Sequence, residues 1–172
     1  AQQQQQAAEQ TLEQMLKDIE QTSANRDEVL RRQLASLIDS IDALIIKQEA
    51  NLKLLDERGA GGSLDGLDLG MAQLHQNTLG VLDQAERGPR ELRPIGAILE
   101  KAADAQARSV TQLRAGASKV RDARVSEQES LDKLQEAKAE AEKLDKQAEE
   151  RQAQRQRGEL RKKYQEALEK QL

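Results

Sequence analysis

RAGAS, residues 114–118, decides how many helices this chain has. Read as a break, with Gly116 ending one helix and Ser118 capping the next, it gives four helices. Read through, it gives three, the last a continuous arm from 92 to 172. A glycine inside a helix costs only about 1 kcal/mol against alanine, so residue type alone does not force the break. The two other punctuation marks are firmer. RGAGGSLDG, residues 58–66, carries Gly59, Gly61, Gly62 and Gly66 and has to interrupt a helix. ERGPRELRP, residues 86–94, holds both prolines of the chain, Pro89 and Pro94, together with Gly88.

Between these marks the apolar residues return every three or four positions, as one face of a helix requires. The spacing predicts a first helix over roughly residues 4–58, with Leu12, Met15, Leu16, Ile19, Val29, Leu30, Leu34, Leu37 and Ile41 on its seam. A second helix is predicted over about 66–87 around Leu67, Met71 and Leu74, and a third over about 92–115 around Ile95, Leu99 and Val110. The fourth takes the remainder, with Leu131, Leu134, Ala141, Leu160, Tyr164 and Leu168 on its face.

Short connections make consecutive helices antiparallel neighbours. The predicted fold is therefore all-α: an up-down-up-down four-helix bundle over residues 29–147, extended by a two-helix antiparallel coiled-coil stalk of residues 1–28 and 148–172. The whole chain, 1–172, is expected to form a single helical unit. Antiparallel pairing of the two long helices sets residue i opposite roughly residue 176 minus i. EQTSANRDE, residues 20–28, is a polar gap in the first seam, and its expected partner AEERQAQRQ, residues 148–156, also lacks large apolar side chains. Below the gap, Leu12, Leu16 and Ile19 are expected to face Leu160 and Tyr164.

Composition agrees with long helices. Charged residues make up 34% and aromatic ones 1%, a single Tyr164, with no Phe, Trp or Cys, so the core has to be built from Leu, Ile, Val and Ala. Such a profile belongs to helical seams rather than to an aromatic-filled globule. The net charge of −4 is spread in interspersed acid and base. With no basic stripe, nucleic acid is not an expected partner. No apolar run approaches the 18–20 or so residues of a membrane span. Ala1 is the kind of small residue that signal peptidase leaves behind, which points to an exported chain, with a cytoplasmic one as the alternative. Glutamines 2–6 have no apolar face, and residues 1–8 are expected to fray unless a neighbour orders them.

Candidate chemistry is sparse. His75, the one histidine, stands four residues after Met71, a pair that in principle ligates copper, but two ligands do not close a site and the pair reads as a rim histidine beside a core methionine. Asp39, Asp42, Asp65 and Asp68 lack the spacing of a calcium loop, and one histidine is too few for a di-metal bundle. GAGGS, residues 59–63, lacks the ending of a phosphate-binding loop and follows no strand. No catalytic residue, cofactor or metal is expected. Arg87, Arg90 and Arg93 flank the second turn, where they can cap a helix end or contact an anion. RQRGELRKK, residues 155–163, is the densest basic stretch and reads as a solvated face because acids interrupt it.

With both ends at the foot of a stalk, the predicted shape resembles the four-helix sensory domains of bacterial chemoreceptors, whose first and last helices are also the long ones. KQEANLKLL (47–55), AQLHQNTLGVL (72–82) and SEQESLDKLQEA (126–137) look like segments of bacterial extracytoplasmic helical proteins. These resemblances imply a non-enzymatic interaction module of a membrane-associated assembly, in the periplasm, or else the ligand-sensing bundle of a transmembrane receptor. The expected partner is a protein, a second copy or a subunit of a membrane complex, with both termini near the membrane. The interaction face is expected at Leu12, Leu16, Ile19, Leu160, Tyr164 and Leu168.

Overall fold

Four α-helices account for nearly all of the chain in this computed structural model, which describes residues 1–171, and no strand occurs among them. Helix α1 spans Gln2–Arg58, α2 Leu67–Arg87, α3 Arg93–Arg114 and α4 Val120–Gln171, with single 3-10 turns at Arg90–Leu92 and Ala117–Lys119. RAGAS is a break. Gly116 has φ 99° and ψ −167°, a backbone region that only glycine enters readily, and the three-helix reading falls with it. The glutamines at 2–6 are helical rather than frayed, because each adds one bond to a helix already nucleated further along.

The chain forms two compact units, residues 33–144 and residues 1–32 with those from 145 onward. In the first, each helix is antiparallel to the next. Ser40 and Asn51 of α1 lie against Gln84 and Gly70 of α2. Asp68 and His75 of α2 bond to Arg114 and Ala103 of α3. Arg108 and Gln112 of α3 bond to Glu129 and Ser126 of α4. Asp42 and Asp56 of α1 pair with Lys138 and Arg124 of α4, closing the up-down-up-down bundle in the expected register. Leu34, Leu37, Ile41, Leu55, Met71, Leu74, Leu92, Ile95, Leu99 and Leu134 are the largest apolar side chains fully buried in it. α3 contributes Ala102, Ala103 and Ala105 as well, so its backbone can approach its neighbours closely.

In the second unit the two polar gaps meet, as the pairing requires. Arg31 donates to Asp145 at 3.1 Å and to Gln152 at 3.0 Å. Asp27, 6% exposed, accepts from Arg151 at 3.0 Å and also pairs with Arg155. Away from this clasp the pairing expected below the gap does not bury its residues: every residue of 1–23 and of 156–171 is exposed. Leu160, Tyr164 and Leu168 recur at intervals of four, which drifts about 40° around the helix at each step, so their stripe winds away from a single neighbour. Val29, placed on the seam by spacing, is exposed, since its neighbour Leu30 takes the inward position.

Candidate functional site

Each unit carries one feature that asks for a functional account. In the unit of residues 33–144 it is a cluster of buried polar side chains from α1, α3 and α4 in a largely apolar core, with Met71 of α2 beside it. Gln48 of α1 is fully buried, and its Nε2 donates to Glu127 Oε1 of α4 at 3.4 Å and to Met71 Sδ of α2 at 3.6 Å. Ser109 of α3 approaches the same carboxyl. Glu127 is 1% exposed. Burial pushes its carboxyl up to about 7; Ser109, Arg124 and Gln48 oppose the rise, and Asp56 adds to it. Arg124 is the cation that lowers it, and its guanidinium bonds Asp56 at 2.6 Å and Gln128 at 3.1 Å.

The layer is under-satisfied. Gln48 Oε1, the Ser109 and Ser130 hydroxyls and both terminal atoms of Gln106 are buried without a hydrogen-bond partner among the described residues. Gln106 stands one turn from Ser109 on α3, and Ser130 one turn from Glu127 on α4, so the antiparallel pairing sets them at one height. The sequence carried a signal for this layer. Gln48 lies midway between Leu44 and Leu52, and Glu127 between Ala123 and Leu131, all four buried, so each polar residue interrupts a seam at an inward position.

The remaining sequence candidates disperse. Arg87 is paired with Asp83 at 2.9 Å, Arg90 lies in the 3-10 turn and Arg93 opens α3, both exposed. Asp39 is exposed, Asp42 holds Lys138 at 2.7 Å and Asp68 holds Arg114 at 3.2 Å. His75 Nδ1 lies 3.0 Å from the Ala103 carbonyl while Met71 faces Gln48. Among the described residues no group of three or more His, Cys, Asp and Glu is placed to hold a metal ion.

In the unit of the chain ends the feature is a pair of exposed apolar stripes. Leu12, Leu16 and Ile19 on α1 and Leu160, Tyr164 and Leu168 on α4 are each between 47% and 70% exposed. Met15 widens the first stripe, and Arg157, Arg161 and Gln165 join Leu160 and Tyr164 around an open recess on α4. The flanking charges are of opposite sign. Glu9, Glu13, Asp18 and Glu20 outweigh Lys17 beside the α1 stripe, whereas Arg157, Arg161, Lys162, Lys163 and Lys170 outweigh Glu159, Glu166 and Glu169 beside the α4 stripe.

No protein-family model, curated protein or solved structure matches this chain. No described helix is long and apolar enough to cross a membrane. The fold is that of an all-α helical bundle with long first and last helices.

Proposed function

We propose that this chain is a non-enzymatic interaction module that assembles with a second copy of itself through the stripes at its chain ends. The observation that carries the reading is the exposure of Leu12, Leu16, Ile19, Leu160, Tyr164 and Leu168 at helical spacing on one unit. A helical stripe of this width belongs against another helix. The charges choose the occupant. An acidic α1 stripe and a basic α4 stripe on the same chain make two copies mutually complementary, each α1 end meeting the other copy's α4 end, as a closed dimer requires. The periplasmic, membrane-associated setting expected from the sequence belongs to the same reading.

Sedimentation velocity on Leu16→Asp tests it. The variant is expected to lose association while the thermal transition of the 33–144 bundle stays in place. Association unchanged in both Leu16→Asp and Tyr164→Asp would refute the stripes as the assembly face. The second reading, a ligand-sensing bundle of a transmembrane receptor, draws its support from the buried polar layer, which lies where a four-helix bundle builds its internal sites.

A further inference from the structure

The layer around Glu127 has three properties that belong together. Its carboxyl is buried at the meeting of α1, α3 and α4 and receives one long hydrogen bond, from Gln48 at 3.4 Å. Its nearest cation is held by Asp56 and Gln128. Five further polar atoms, on Gln48, Ser109 and the residues one turn along from Ser109 and Glu127, have no hydrogen-bond partner among the described residues. A charge placed there is held away from water and shares its cation with Asp56, and each buried polar atom left unsatisfied works against the closed packing of this layer.

We propose that Glu127, with Gln48, Ser109, Gln106 and Ser130 around it, is a buried proton-binding site that keeps the bundle closed while protonated and loosens the packing of α4 against α1 and α3 when the proton leaves. The protonated carboxyl is a donor as well as an acceptor, and the unpartnered oxygens of Gln48 and Ser109 are acceptors next to it. The carboxylate accepts from the Gln48 amide and the Ser109 hydroxyl but has no proton for the Gln48 oxygen, and water has to enter to complete its solvation. The charged groups bearing on the site are Asp56 from α1, which disfavours the carboxylate, and Arg124 on α4 itself, which favours it. α2 and α3 bring Met71 and Ser109, both uncharged. His75 lies one turn from Met71 and turns its Nδ1 to Ala103.

The sign follows from linkage. The carboxyl titrates near its ordinary 4.5 in the unfolded chain and at about 7 in the fold, so the folded state holds the extra proton between these values. Stability is therefore highest near the lower value, falls as pH rises through the window, and is flat above the upper one. Thermal melts of the full chain are expected to drop on the order of 5–10 °C across this window, with hydrogen exchange in the layer quickening over the same range. The drop should vanish in Glu127→Gln, which keeps the shape and a donor without the charge, and persist in His75→Gln. A carbon-13 titration of the Glu127 carboxyl in the wild-type chain, independent of any variant's folding, should give a midpoint near neutral. A midpoint in the ordinary carboxylate range, a flat wild-type profile, or a drop retained in Glu127→Gln would overturn the proposal.

Discussion

Gly116 does its work through φ, not through space. A Cβ there would meet nothing within 4 Å, yet the residue sits at φ 99°. Gly116→Ala is therefore expected to cost about 1–3 kcal/mol in the 33–144 bundle from backbone strain alone. Chemical denaturation would check this, and a loss of a few tenths would show that the turn adapts. In the core, Leu37 is fully buried, and Leu37→Ala is expected to cost about 2–5 kcal/mol by the same measurement. The sequence marked Gly116 as a candidate stop but left the choice open, because helix propensity does not report whether the fold needs a positive φ. It named the apolar core residues with few misplacements, Val29 among them. Gln48 and Glu127 escaped notice for a different reason: an amphipathic reading asks where apolar residues recur and passes over a polar one on the same face.

Among elements, the matched gaps of α1 and α4 show how polar sequence can set register. Neither gap has large apolar side chains, so the pairing there relies on Asp27 with Arg151 and Arg155, and on Arg31 with Asp145. Asp27→Asn keeps the volume and leaves two arginines facing a neutral amide. It is expected to weaken this pairing by about 1–3 kcal/mol, read as faster hydrogen exchange over residues 20–32 with no change over 33–58. Uniform exchange along α1 would contradict the division into two units. The register was legible because two gaps of the same length occur at complementary heights. The six stripe residues were legible as an apolar face, but their exposure in place of the expected pairing of Leu12, Leu16 and Ile19 with Leu160 and Tyr164 was not, because seam spacing identifies a face without saying what covers it.

For the whole molecule, the proposed assembly with a second copy rests on the opposite charges beside the two stripes. Charge reversal offers a test that composition alone does not suggest. Glu9→Lys with Glu13→Lys makes both ends of one variant basic, and Lys162→Glu with Lys163→Glu makes both ends of another acidic. Each variant is expected to associate more weakly than wild type, and an equimolar mixture to recover association at low salt. A mixture no better than its components would remove charge complementarity as the reason for a second copy. The most direct measurement is light scattering coupled to size exclusion on the wild-type chain over a wide range of loading concentrations. Association through the stripes gives a mass that rises to twice the chain's 19.2 kDa and returns to the monomer value in Leu16→Asp. A wild-type chain that stays monomeric at every concentration would contradict it.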